Sequence, residues 1–384
     1  MESEEPPKGV ENANVVNKYR EAASIARNTL QKLIELCTAG TSISDICTRG
    51  DKLIEEGLTQ VYASAAIEKG IAVPTCVSVN NVCGYFSPLQ EESGILNHHD
   101  LVKLELGVHI DGYIATIGTS LVVGATPENP VTGPKADVIL AAYNGIETAL
   151  RLMRPGNCNY AITEAYSKIA ADYGCNMVEG VLSHEVKQHV IDGNKCVMCK
   201  ETFDQHVEEF DFGVNQAYVL DVMVTTGEGK PRETEYRTTV FQRALDVTYN
   251  LKLKASRTFL AEVNRRFPTL LFSLNNFDDQ RNARLGVAEC TKHNILYSFP
   301  VLAERPNDFV ASFKVTVLLL ESGVVVATPV IFTPNAYKSE KSVTDEGVRK
   351  ILQESMMTGP APKKQKNKKK NKNKKKPAEK KEDS

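Results

Sequence analysis

The chain has 384 residues, 42% of them hydrophobic and 24% charged, which is enough to bury a sizeable core; at roughly 100–200 residues per domain the expectation is two domains or one large α/β unit. No stretch approaches the ~18 consecutive apolar residues of a membrane helix, and Met1-Glu2-Ser3-Glu4-Glu5 is acidic where a secretory leader is basic and then apolar, so a soluble intracellular protein without membrane insertion is expected, its nine irregularly spaced cysteines reduced. The net charge of −2 hides an asymmetry: residues 359–384 hold 12 Lys against 3 acids, and the rest holds 34 basic against 45 acidic residues, so an acidic body carries a basic tail.

Residues 1–13 are acidic, Pro-containing and aperiodic, and they read as a disordered arm. From Asn14, the residues Val15, Val16, Tyr19, Ala22, Ala23, Ala26, Leu30, Leu33 and Ile34 recur at helical spacing up to Gly40. A second helix is expected from Ile43 to Gly57, with Ser42-x-x-Asp45 as a capping arrangement. Strand-like text covers Ile71 to Val79. Another helix pair is expected over Lys135 to Arg154 and Tyr160 to Tyr173, split by Pro155-Gly156, with more strands after it. Two helices then strands, twice over, suggest a duplicated α/β architecture, although no repeat is visible in residue identity. A helix-rich block between Tyr249 and Ala303, with helices at Ser256–Phe267 and Phe277–Gly286, looks inserted before a last hairpin over Phe309 to Ile331.

One hairpin can be worked out in detail. Asp111-Gly112 is a strong two-residue turn, so paired positions sum to 223 and Ile110 faces Tyr113. Val102, Leu104, Leu106, Val108 and Ile110 then share a core face. Lys103, Glu105, Gly107 and His109 share the other, opposite Gly118, Thr116 and Ile114. Glu105 and Thr116 become diagonal neighbours within about 7–8 Å. Parity leaves that second face either solvated, the commoner outcome, or lining a site.

Several segments resemble those of a known enzyme group. Lys103-Leu104-Glu105-Leu106-Gly107-Val108-His109-Ile110-Asp111-Gly112 is similar to the Asp-Phe-Gly-x-His-Ile-x-Gly segment of type II methionine aminopeptidases. Ser183-His184-x-x-x-Gln188 resembles their Gly-His-x-x-x-Gln. Tyr218-Val219-Leu220-Asp221 with Thr226-Gly227-Glu228-Gly229 resembles Tyr-Ala-Ile-Glu followed by Thr-Gly-x-Gly. Phe313-Lys314-Val315-Thr316 resembles Phe-Glu-His-Thr. Order and spacing hold from about Val16 to Lys338. The resemblance implies the pita-bread fold, a pseudo-twofold α/β (α+β) unit over residues 14–358, with a type II helical insertion at about 249–303 and a disordered tail over 359–384.

In those enzymes two divalent metals are held by two Asp, one His and two Glu. Carried over by resemblance, the positions read Glu105, Thr116, His184, Asp221 and Lys314. Hard divalent ions need several anionic oxygen ligands; Thr116 offers a neutral hydroxyl and Lys314 an ammonium without a lone pair. A unit positive charge ~4 Å from a divalent ion is repelled by about 8 kcal/mol at an effective dielectric of 20. The substrate-binding His of the enzymes aligns with Tyr85. No metal cofactor is therefore expected, and Lys314 is expected to pair with Glu105 and Asp221, with Thr116 adding a neutral hydrogen bond.

This pattern of losses, with a lysine-rich tail, resembles the proliferation-associated, ErbB-receptor-binding proteins, non-catalytic relatives of methionine aminopeptidase. Gly70-Ile71-Ala72-x-Pro74, Phe86-Ser87-Pro88-Leu89, Lys135-Ala136-Asp137-Val138-Ile139 and Lys187-Gln188-His189-Val190-Ile191-Asp192-Gly193 carry the likeness. It implies binding to rRNA and other structured RNA and to the large ribosomal subunit and pre-ribosomal particles. It also implies growth-linked regulation of transcription and translation, receptor tails as further partners, and residence in cytoplasm and nucleus with nucleolar enrichment. Two departures stand out: no lysine cluster precedes Gly70, and Val348-Arg349-Lys350-Ile351-Leu352 lacks the Leu-x-x-Leu-Leu pattern of relatives. An active metallo-aminopeptidase and an adaptor whose tail serves only nuclear import are the alternatives.

The tail lysines Lys363, Lys364, Lys366, Lys368, Lys369, Lys370, Lys372, Lys374, Lys375 and Lys376 form a charge run suited to polyanions or to a nuclear address. In the insert, Lys252, Lys254 and Arg257, with Arg265, Arg266, Arg281 and Arg284 among Phe259, Phe267 and Phe277, are either a solvated face or an RNA contact. Cys196-x-x-Cys199 lacks a second half-site for zinc and reads as a pair of loop cysteines. His98-His99 is expected in solvent. His189, five residues past His184 on a strand-like run, is expected on the opposite face as a structural side chain.

Overall fold

The computed structural model describes residues 9–356. The body opens with four long helices and seven strands: α1 (Ala13–Leu36), α2 (Ile43–Thr59), β1 (Lys69–Val79), β2 (Leu101–Ile110), β3 (Tyr113–Val122), α3 (Pro134–Leu152), α4 (Tyr160–Asp172), β4 (Asn176–Met177), β5 (Leu182–Val186), β6 (Cys196–Met198) and β7 (Gln216–Thr225). The insert contributes β8 (Val240–Arg243), α5 (Lys254–Arg266), β9 (Leu271–Ser273), α6 (Gln280–Lys292) and β10 (Leu296–Phe299). The chain then returns through β11 (Val310–Leu320) and β12 (Gly323–Val326) to a final helix α7 (Glu346–Gln353).

Nine strands make one sheet in the order β1-β2-β3-β11-β7-β5-β6, with β12 paired to β11 and β4 to β7. The duplicated architecture expected from sequence is visible in how the two halves bury their apolar faces. The first helix pair covers β1–β3, where Leu30, Leu33, Ile46 and Ile54 meet Leu104, Leu106, Val108 and Ile117. The second covers β7 and β11, where Ile139, Ile146, Ile162 and Tyr166 meet Leu220, Val222, Phe313 and Val315. The halves meet at β3 and β11, where the ladder holds one register pair, Lys314 with Gly118. Side chains replace the missing rungs: Thr116 N–H donates to Thr316 Oγ1 (2.8 Å), and the Thr316 and Thr328 hydroxyls donate to the Thr116 carbonyl (2.9 and 3.0 Å).

The hairpin register is the expected one, from Leu101 with Val122 to Ile110 with Tyr113. Its second face is not solvated. Lys103, His109 and Thr116 are all buried, because the insert, the far half of the sheet and neighbouring loops cover the side of the sheet away from the helices. Lys103 takes up a role the sequence did not reveal: Nζ donates to the carbonyls of Asn80 and Val310, both at 2.9 Å, and burial lowers its pKa to about 7.

Other boundaries shift for local reasons. Within the arm expected to run to residue 13, Asn12 caps α1 through the Asn14 N–H, and Val10 is buried beside Tyr113 and Leu318. Ser42 is the N-cap residue of α2 but makes no side-chain cap bond; its hydroxyl meets those of Ser44 and Ser93, each at 3.1 Å. The helix expected from Phe277 starts later, because a 3-10 turn capped by Ser273 takes Leu274–Asn276 and Asp279 then caps α6. Cys196 lies on a strand rather than a loop, and both Cys196 and Cys199 are buried. His189 lies beyond the end of β5 in the left-handed region (φ 59°), so strand parity does not govern it. His98 and His99 are exposed, as expected.

The insert has its own core of Phe241, Phe259, Phe267, Phe272 and Phe277. It is pinned to the body at a polar seam. Asp51 on α2 accepts the Thr75 N–H and the Asn276 amide, each at 2.7 Å, and Arg266 reaches Glu55.

Candidate functional site

The register assembles the site. Glu105 on β2 pairs with Gly118 on β3, Gly118 with Lys314 on β11, and Lys314 with Asp221 on β7. Four neighbouring strands thus supply one row in the order Glu, Gly, Lys, Asp. Having no side chain, Gly118 leaves space for its two neighbours to meet: a Cβ there would lie 3.0 Å from Lys314 Cβ and 3.5 Å from Glu105 Cβ. Lys314 Nζ reaches Glu105 Oε2 at 2.8 Å and Asp221 Oδ2 at 3.0 Å. The ion pairs expected from sequence are formed.

Thr116, two residues from Gly118 on the same face, points into the same cavity of about 300 Å3. Its hydroxyl does not make the expected hydrogen bond. Thr116 Oγ1, Glu105 Oε1 and Asp221 Oδ1 are buried and have no partner among the described residues. His184 lines the cavity from β5, with Nδ1 3.1 Å from the Gly193 carbonyl and 3.3 Å from Cys196 Sγ. The same Gly193 carbonyl also accepts from Cys196 Sγ at 3.4 Å, so thiol, ring and carbonyl form one cluster at the cavity edge. Tyr85 closes another side in the left-handed region (φ 57°), its ring 5.0 Å from that of Phe299 in the insert. Cys196 turns toward His184 while Cys199 Sγ meets the Asp221 carbonyl at 3.1 Å, so the CxxC thiols serve different partners.

The electrostatics centre on Lys314. Burial by itself would lower its pKa, but Asp221 and Glu105 overcome that and raise it well above the ordinary value. Burial pushes the Asp221 carboxyl up, and the Lys314 ammonium pulls it part of the way back. Burial, eased a little by Lys314, holds the Tyr85 phenol neutral.

These residues do not fit a pair of divalent ions. The ammonium of Lys314 lies between the two carboxylates that would have to turn toward metal, and the Thr116 hydroxyl brings no charge. Among the described residues, no group of three or more His, Cys, Asp or Glu is arranged to hold a metal ion.

The insert residues separate into two groups. Lys252, Lys254, Arg265 and Arg281 are exposed. Arg257 donates to the carbonyls of Leu251 and Lys252, Arg266 pairs with Glu262 and Glu55, and Arg284 pairs with Glu91. Phe259, Phe267 and Phe277 are core residues, so they offer no stacking surface. The run Lys363 to Lys376 lies outside the described residues.

A family model described as metallopeptidase family M24 matches residues 17–209. The chain is 44% identical over 325 residues to ErbB-3 binding protein 1 of Arabidopsis thaliana, covering 84% of this chain and 82% of that one. It is 40% identical over 353 residues to proliferation-associated protein A of Dictyostelium discoideum, covering 91% of each. The solved structure of a thermophilic Arx1 matches with a TM-score of 0.84 at 29% identity, over 90% of this chain and 99% of the other.

Proposed function

The chain belongs to metallopeptidase family M24, in its proliferation-associated, ErbB-receptor-binding group with the pita-bread fold, and from that premise we propose that it is a non-catalytic member that binds structured RNA and ribosomal or pre-ribosomal particles. The observation that carries the first half is Lys314. Its ammonium, 2.8 Å from Glu105 and 3.0 Å from Asp221, stands where cations would have to be held, and it satisfies two carboxylates that would otherwise repel each other. Peptide hydrolysis by two metals needs both the attacking and the leaving oxygen clamped; an ammonium can clamp neither as a Lewis acid.

The second half rests on charge. Twelve lysines within residues 359–384 suit a polyanion whose phosphates repeat at close spacing, and the exposed Lys252 and Lys254 of the insert would add a second contact. We place the protein in cytoplasm and nucleus, with nucleolar enrichment dependent on the tail, and in growth-linked control of translation and transcription. The names of the relatives, an ErbB-3 binding protein and a proliferation-associated protein, support receptor tails as further partners.

Two assays test this reading. Purified protein supplied with cobalt, manganese or zinc should release no N-terminal methionine from peptides; turnover lost on His184→Ala would restore the aminopeptidase reading. Sedimentation with large ribosomal subunits at increasing salt should show binding that weakens steeply. Absence of binding at low salt would leave an adaptor whose tail serves only for nuclear import.

A further inference from the structure

The cavity around Lys314 is left with an unbalanced set of atoms. Lys314 donates to one oxygen of each carboxylate, and the remaining Glu105 Oε1 and Asp221 Oδ1, together with Thr116 Oγ1, have no partner among the described residues. Thr116 is only 2% exposed, and a buried polar atom left unpaired costs about 1–3 kcal/mol. Two carboxylates against one ammonium leave a formal charge of −1. A cation with several N–H donors would match these acceptors and this charge.

The walls define the rest of the ligand. Val73, Val219 and Met223 from the sheet, with Leu271 and Phe299 from the insert, are apolar. Of the side-chain N–H donors in the wall, Lys314 gives two to the carboxylates and Gln242 gives one to the Thr269 carbonyl. An α-amino group sits one carbon from a carbonyl, which would bring a polar oxygen against this apolar wall. An ε-amino group arrives on four methylenes, which need only apolar contact.

We propose that this cavity binds an alkylammonium group, such as a lysine side chain or a free alkylamine, its three N–H bonds taken by Glu105, Asp221 and Thr116 and its stem lying against the apolar wall. The inference deepens the reading of a pocket without divalent metal and rests on it. Lys314 serves as the resident cation, and the ligand supplies the second.

The test is isothermal titration of the full-length protein, in the presence of a chelator, with Nα-acetyl-lysine methylamide and with n-butylamine. Binding by the lysine derivative alone assigns the source to a polypeptide; binding by both admits free amines. Acetylation of the ε-amine should abolish binding. Thr116→Val should weaken it about tenfold, the loss of one hydrogen bond to a charged group, while Thr116→Ser should retain it. Circular dichroism checks that both variants fold, and Met223→Trp, which fills the cavity and spares every polar contact, provides an independent block. The proposal is overturned if neither amine binds, if Nε-acetylation makes no difference, or if methionine amide binds at least as tightly as the lysine derivative. The chelator separates this outcome from the aminopeptidase assay, since metal-dependent turnover would remove the premise without any titration.

Discussion

Gly118 shows how one absent side chain decides the site. Glu105 and Lys314 pair across it, and a methyl group there would stand 3.0 Å from Lys314 Cβ and 3.2 Å from the Leu104 carbonyl. Gly118→Ala should therefore destabilise the fold by about 1–3 kcal/mol through overpacking, read as a lower denaturation midpoint at an unchanged slope. Lys314 is the other decisive residue. Its removal leaves Glu105 and Asp221 facing each other half-buried, and breaking a pair of this kind costs about 3–5 kcal/mol. Lys314→Met should lower the midpoint accordingly, whereas Lys368→Met should leave it where it is. Equal midpoints for the Lys314 variant and the parent would reduce Lys314 to a solvated side chain.

At the scale of elements, the insert is held by a buried carboxylate that forms no ion pair among the described residues. Asp51 bridges α2, β1 and the 3-10 turn of the insert through Thr75 and Asn276, while Arg266, on the insert side of this seam, pairs with Glu55 and Glu262. Burial raises the Asp51 carboxyl from 3.8 to about 6, against hydrogen bonds from Thr75 and Asn276 that lower it. A carboxyl raised on folding binds its proton more tightly in the native state, so stability falls as pH rises from about 4 to about 6. At 1.36 kcal/mol per unit the swing is roughly 3 kcal/mol. Asp51→Asn should remove this dependence, because the amide oxygen still accepts from Thr75 and carries no charge; urea midpoints measured at pH 4, 5, 6 and 7 should then lie closer together than in the parent. A parent midpoint that is level over this range would show the carboxylate to be better solvated than the structure implies.

For the whole molecule, the separation of charge between body and tail sets how it meets a polyanion. Each lysine bound to phosphate adds about −0.7 to −0.9 to the slope of log K against log salt. If five tail lysines are engaged, deleting Lys363 to Ser384 should flatten the slope by about 3.5–4.5 and weaken binding to structured rRNA. An unchanged slope would assign RNA contact to the insert, where Lys252 and Lys254 are free to make it and Arg257, Arg266 and Arg284 are occupied.

Local chemistry in the chain was sufficient for the helix pairs, the Asp111-Gly112 turn and the register that places Glu105 opposite Gly118, since turn geometry and apolar periodicity act over a few residues. The identities of Thr116 and Lys314 were likewise enough to argue against two divalent ions, because charge is a property of the residue wherever it lies. What parity could not decide was which face of the hairpin meets water, and there the commoner expectation failed. Lys103 and Thr116 are buried because strands and an insert more than a hundred residues away close over them. The same distance in sequence hid the partnerless oxygens of Glu105, Asp221 and Thr116, the role of Lys103 in holding Val310 and the Asp51–Asn276 seam. Hydrogen-bond satisfaction is counted in three dimensions, and only the assembled sheet fixes which donors reach which acceptors.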